Sequence, residues 1–207
     1  MSQATIITEI NTNHKAIAFT FDDGPNPLFT PQVLEIFQEV FGRATFFMIG
    51  KHMLNHPEIV LQVTEQMHEI GNHTYSHPRL TELSSTESAE EIIRTDKIIM
   101  ELTGTEPKTF RPPFIDYNDE TVSLLKKLDY HMISAVNFEA TDWEMPDVAH
   151  IVSKTRDQVR NGSILLFHDG FGDCSQTIEA VRLLATELTS QGYRLVTVSE
   201  LLSLKNQ

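Results

Sequence analysis

Two carboxylates, Asp22 and Asp23, stand side by side in the stretch AFTFDDGPN, where an apolar run ends and Gly24-Pro25 follow at once. Adjacent like charges repel unless something cationic divides their roles. A second polar stretch, HTYSH, carries His73 and His77 four residues apart. On a helical turn that spacing puts both imidazoles on one face, with Cβ atoms roughly 5–6 Å apart. Two imidazoles and a carboxylate suit a divalent ion of the zinc type, which in catalytic sites takes three protein ligands and keeps a position for water. With Asp23 as the third ligand, its charge is neutralised. The turn at Gly24-Pro25 can then bring Asp22 to the same place, where it can accept a proton from an attacking water. H-x-x-x-H alone arises by chance in a chain with nine histidines, and DDG alone is a common solvated turn. Their combination is what points to chemistry.

Short runs rich in β-branched and aromatic residues, bounded by turn residues, predict the strands that must position these groups. They fall at 17–21, 44–49, 69–74, 109–113, 131–136, 163–168 and 193–198. Helical periodicity occupies 30–41, 57–70, 86–102, 118–128, 146–160 and 175–191. Thr30-Pro31 opens the first of these, Gly71, Gly104 and Gly192 follow others, and Ile92, Ile93, Ile99 and Leu102 read as one buried face. Strands alternating with helices imply parallel pairing through right-handed crossovers, hence an α/β fold. About seven such units favour a (β/α) barrel over an open sheet. The polar clusters then share one address: DDGP follows the first strand, HTYSH the third, RPPF the fourth, TDW comes after the fifth and HDG follows the sixth. In a parallel barrel the C-terminal strand ends meet at a single mouth, where such folds build their sites.

Composition sets outer limits. The chain has 207 residues, 40 % apolar and 22 % charged, enough for one domain with a sizeable core. A formal net charge of −13 excludes nucleic acid or an anionic membrane held through a broad positive field and makes a neutral or cationic substrate the simpler expectation. The single cysteine, Cys174, excludes an intramolecular disulfide and has no basic neighbour in sequence to make it a nucleophile. No stretch reaches the apolar length of a membrane span, and MSQATIITEI has no basic n-region, so the chain as written reads as cytoplasmic. Removal of a leader would change that to secreted or cell-wall. His14, His52, His56, His68, His131 and His150 lack partner spacing and read as structural or surface residues.

TFDDGPN, HTYSHP, RPPF, TDW and LLFHDG, in this order and at these intervals, resemble the polysaccharide deacetylases of carbohydrate esterase family four, the NodB homology group. The resemblance runs from about residue 6 to residue 202 and includes ATFFMIG and GYRLVTVSELL. It implies one polysaccharide deacetylase domain over residues 1–207, a distorted (β/α)7–8 barrel, acting as a monomer. The implied activity is metal-dependent removal of N-acetyl groups from N-acetylglucosamine-containing glycans, chitin oligomers or peptidoglycan, with zinc as the first choice of ion and cobalt(II) next.

Residue by residue, the resemblance makes Asp22 the general base and Asp23, His73 and His77 the metal ligands. Arg111 matches the arginine that orients the base, His168 the general acid and Asp142 the carboxylate paired with that histidine. Leu166 and Trp143 match apolar walls around the acetyl group, and Pro113 and Phe114 belong to the substrate-binding RPPF segment, with an oxyanion donor at a backbone N–H near Phe114. Two departures bear on substrate preference. Phe114 and Ile115 stand where the family usually has Tyr and Gly, and Glu139 stands where an Asp is common. Competing readings are an O-acetyl xylan esterase, a metal-dependent hydrolase of a small cyclic amide or ureide, and a non-catalytic glycan binder. The last has no use for a base, a metal and an acid together.

Overall fold

A strand that is buried on both faces is largely apolar, and β1 (Ala16–Asp22), with every residue buried and only Thr20 and Asp22 polar, is such a strand. In this computed structural model, which describes residues 6–206, it is the hub of a seven-stranded sheet. The first five residues of the stretch read for a leader lie outside the described part. On one side β1 pairs with β2 (Thr45–Met48), through Thr20↔Thr45 to Asp22↔Phe47, and on the other with β6 (Ile164–His168), through Ala18↔Ile164 to Asp22↔His168. Outward from β2 follow β3 (Glu69–Asn72), β4 (Thr109–Phe110) and β5 (His131–Met132), all parallel. β7 (Arg194–Leu195) pairs with the start of β1.

The sheet curls into a half-barrel, in keeping with the distorted barrel expected from the sequence. Among the described residues β5 and β6 form no ladder; the N-terminal segment spans the gap, with Ile7 bridged to Ile133 and Glu9 to Ser163. The outer strands are also shorter than their sequence runs. Segment 109–113 pairs only at Thr109 and Phe110, because Pro112 and Pro113 can donate no ladder hydrogen bond.

The helices cover the sheet: α1 (Thr30–Glu39), α2 (Gly50–Asn55), α3 (Pro57–Glu65), α4 (Ser85–Thr103), α5 (Asp119–Lys127), α6 (Val148–Arg156), α7 (Ser175–Ser190) and α8 (Val198–Ser203). A capping box between Ser84 and Glu87 starts α4, and Gly104, at φ 70°, ends it. It buries Ile92, Thr95, Ile98 and Ile99, whereas Ile93, expected inside, is 37 % exposed. Segment 57–70 stops being helical after Glu65, since Met67 takes φ 61° and Glu69 opens β3. α2 and α8, six residues each, are too short for a periodic signal. Phe19, Phe21, Phe46 and Phe167 stack beneath the site with neighbouring ring centroids 5.2–6.0 Å apart. That packed floor keeps the ends of β1 and β6 rigid. No described helix is long and apolar enough to cross a membrane.

Candidate active site

Asp22 is the last residue of β1, and its Oδ1 accepts a hydrogen bond of 2.7 Å from Arg111 Nη1. Arg111 is fully buried just beyond β4; it also donates to Thr20 Oγ1 at 2.7 Å and to the Ser134 carbonyl at 2.9 Å, with its guanidinium over the Phe47 ring. These contacts fix the carboxylate in one orientation. Asp23 follows at φ 73°, a left-handed turn that sends its side chain to the same mouth instead of the opposite face of the strand. The turn is packed so closely that a Cβ on Gly170 would lie 2.0 Å from the Asp23 carbonyl oxygen. Only glycine fits there.

HTYSH is not a helical turn, contrary to the expectation from its spacing. It is a loop after β3 in which Thr74 (φ 67°) and His77 (φ 63°) are left-handed. Side chains hold it. Asn72 Oδ1 accepts from Thr74 N at 2.8 Å, Thr74 Oγ1 from His77 N at 3.1 Å, and Glu91 of α4 from the Tyr75 and Ser76 amides at 2.9 and 2.7 Å. The two rings still converge, with centroids 4.9 Å apart. His73 Nδ1 lies 2.7 Å from the Arg111 carbonyl, which can only accept, so Nδ1 carries the proton and Nε2 presents its lone pair.

Asp23, His73 and His77 can each offer one ligand atom, all within 4.8 Å of one another. Asp23 Oδ1 is 3.5 Å from His73 Nε2 and 3.2 Å from His77 Nε2, and it is buried without a hydrogen-bond partner. Ligand atoms set tetrahedrally about zinc at its usual bond lengths stand about 3.3 Å apart. Protonation agrees. Burial opposes ionisation of Asp23, but the neighbouring imidazoles of His73, His77 and His168 outweigh that and hold its pKa at about 2. Burial, assisted by His73, pushes His77 down to about 4, so near neutral pH Asp23 and His77 have the protonation states a metal requires. The residues fit a divalent ion. Glu91→Ala, which frees the loop but touches no ligand, is expected to weaken zinc binding about 10–100-fold in a competition titration, as losses of outer support do.

Across the mouth stands His168, the last residue of β6 and the register partner of Asp22. Its Nδ1 donates to Asp142 Oδ1 at 3.0 Å, and Asp142 Oδ2 accepts from the His168 amide at 2.8 Å and from Thr177 Oγ1 at 3.2 Å. Burial disfavours the imidazolium, but the bond and charge of Asp142, with Asp22 and Asp23 nearby, raise the pKa of His168 to about 9. Trp143 packs edge-on against it, centroids 5.6 Å apart. Asp22, Asp23, His73, His77, Leu166 and His168 line one cavity of about 470 Å³, with Trp143 and Phe114 at its wall.

Pro113 does not reach this cavity: it is buried at the start of a 3-10 turn, and Pro112 takes the lining position. Phe114 (φ 56°) is 57 % exposed and packs on His77, centroids 4.7 Å apart. Glu139 lies off the cavity and pairs with Lys154. Cys174 is buried, and its thiol is pushed up to about 12 by burial. His52, read as structural, does serve the site, because its Nδ1 donates to the Asp23 carbonyl at 2.8 Å. Asp169, the second residue of HDG, is fully buried, accepts from Thr30 Oγ1 at 2.5 Å and packs on Gly24. Phe138, Phe171 and Arg79 also line the cavity, and no spacing in the sequence marked them.

The chain is similar to several known proteins. The family model described as polysaccharide deacetylase matches residues 9–133. The chain is 42 % identical over 199 residues to the peptidoglycan-N-acetylglucosamine deacetylase of Bacillus cereus, covering 96 % of this chain and 93 % of that one. It is 37 % identical over 198 residues to the peptidoglycan-N-acetylmuramic acid deacetylase PdaC of Bacillus subtilis, covering 96 % of this chain but only 41 % of that longer protein. A crystal structure of a peptidoglycan N-acetylglucosamine deacetylase in complex with an N-oxidanyl-benzamide superposes with a TM-score of 0.91 at 28 % identity, over 96 % of this chain and 94 % of that one. The chain belongs to the polysaccharide deacetylase family, the NodB-type carbohydrate esterases of family four.

Proposed function

We propose that this protein hydrolyses the N-acetyl group of N-acetylglucosamine units in chitin oligomers or peptidoglycan, as a single monomeric domain using one divalent ion, zinc first and cobalt(II) next. The observation that carries the reading is the pairing across one cavity of an arginine-held carboxylate, Asp22, with an aspartate-held imidazolium, His168, on either side of a three-donor set. Bound to Asp23, His73 and His77, the ion would supply activation of a water and polarisation of the acetyl carbonyl. Asp22 takes the proton of the attacking water, and Arg111 keeps that carboxylate aimed. The backbone N–H at Phe114 donates to the developing oxyanion. His168 delivers a proton to the departing nitrogen, because an amine anion is a very poor leaving group, and Asp142 holds its Nδ1–H so that Nε2 faces the cavity. Leu166 and Trp143 wall off the acetyl methyl. The products are acetate and a free amine.

The test is to incubate purified protein with chitin oligomers, peptidoglycan fragments, acetylated xylan and a cyclic ureide. Acetate appearing with equimolar free amine from the first two is expected. Acetate from xylan alone, or turnover of the ureide alone, would replace this reading with an esterase or an amidohydrolase.

A further inference from the structure

Among the residues lining the cavity, Arg79 is the one permanent cation, since Arg111 is sealed beneath it. It belongs to the loop just after the histidine pair, where the sequence offered no reason to single it out. Arg43, Arg156, Arg160 and Arg182 each pair with a carboxylate; among the described residues Arg79 has no acidic partner, and its guanidinium donates no hydrogen bond. Instead it lies over the Phe114 ring, 4.3 Å from the centroid, and Phe114 in turn packs on His77. Stacking on an aromatic face holds the plane of a guanidinium while leaving its N–H edge free, the arrangement that receives a carboxylate through two parallel hydrogen bonds.

Resting on the deacetylase reading, we propose that Arg79 is a specificity residue for a carboxylate-bearing glycan: the sugar beside the scissile acetamido group carries an acid, as in muramic acid-containing chains, and Arg79 binds it. This revises the neutral-substrate expectation drawn from net charge. Carboxylates elsewhere on the chain act weakly at the groove because charges more than about 8 Å apart are largely screened at physiological ionic strength, whereas Arg79 acts in contact. Phe114, where the family usually has Tyr, supplies the platform on which the guanidinium rests.

The experiment compares kcat/KM for N-acetylglucosaminyl-N-acetylmuramic acid with that for N,N′-diacetylchitobiose, a neutral substrate of equal length. Wild-type protein is expected to favour the acid. Arg79→Gln should reduce that ratio about 10–100-fold, mainly through KM, as loss of a charge-assisted hydrogen bond does. Arg79→Lys should recover only part of it, because a point charge lacks the fork. A third substrate, with the lactyl carboxyl amidated by a stem peptide, locates the acid: retained selectivity assigns it to the peptide, lost selectivity to the lactyl ether. An Arg79→Gln that slows both disaccharides equally, or a wild type with no preference for the acid, overturns the proposal. If no glycan releases acetate, the deacetylase reading falls on its own, and calorimetric binding of the two disaccharides to Asp22→Asn protein, with and without Arg79→Gln, still decides the role of Arg79. Equal affinities would refute it, and a preference for the acid that Arg79→Gln removes would uphold it.

Discussion

Asp23→Ala protein should fold, fail to retain zinc and release no acetate, while Asp22→Asn protein should keep its zinc and still lose turnover by about 10²–10⁴-fold, the usual contribution of a general base. The geometry separates the two neighbours. Asp23 Oδ1 lies within 3.5 Å of both His73 and His77, whereas Asp22 Oδ2 is 3.8 Å from His73 and its Oδ1 is committed to Arg111. Losing Asp23 leaves two neutral imidazoles, which bind a dication far more weakly than a set containing a carboxylate. The fold should survive because Asp23 Oδ1 has no hydrogen-bond partner to lose. Metal content per chain, acetate release and melting temperature with and without added zinc check all of this. Zinc should raise the melting temperature of the wild type and of Asp22→Asn, not of Asp23→Ala, since only a protein that binds the ion in its native state is stabilised by it. Stripping the wild type with a chelator should likewise bring acetate release to background, at least about 10³-fold down, and zinc or cobalt(II) should restore it. Full turnover by rigorously metal-free protein would refute the metal assignment.

The sequence made the site legible because its groups sit at the ends of strands, and strand ends are marked by abrupt changes from apolar to polar residues. FTFDD, LLFHD and TFRPP each announce both an element and its terminus. What depended on loop shape was not legible. The spacing of His73 and His77 suggested a helix, yet Asn72, Thr74 and Glu91 bring the rings together through a left-handed loop, and Glu91 comes from the following helix, α4, whose packing against the loop no local spacing reveals. Phe138 and Phe171 lie in connections whose course is set by tertiary contacts, and each is an ordinary aromatic until the cavity places it. His52 could not be linked to Asp23 because α2 is too short to read. Closure of the sheet was beyond reach for a related reason: the bridges from Ile7 and Glu9 are single pairings that carry no periodic signature.

His168→Ala should cost about 10²–10⁴-fold on an N-acetyl substrate and much less on an acetate ester of a similar sugar, with metal content unchanged in both assays. An alkoxide leaves with less help than an amine anion, so the value of the acid depends on the leaving group. A histidine with a purely structural role would slow both substrates alike. The pH profile supplies a second, independent reading. Asp142, Asp22 and Asp23 raise the pKa of His168 to about 9 against the opposing effect of burial, so the proton-donating form prevails below that pH and amide hydrolysis should decline as pH rises through it. A bound dication offsets the help from Asp22 and Asp23, which moves the alkaline limb below 9 and leaves Asp142 as the main support of the imidazolium. Asp142→Asn should therefore shift that limb further toward neutral pH and lower the rate on the amide, with the ester again less affected. A limb that stays in place in Asp142→Asn, or equal losses on amide and ester in His168→Ala, would take the proton-donor role away from His168 and assign the Asp142–His168 pair to holding the end of β6.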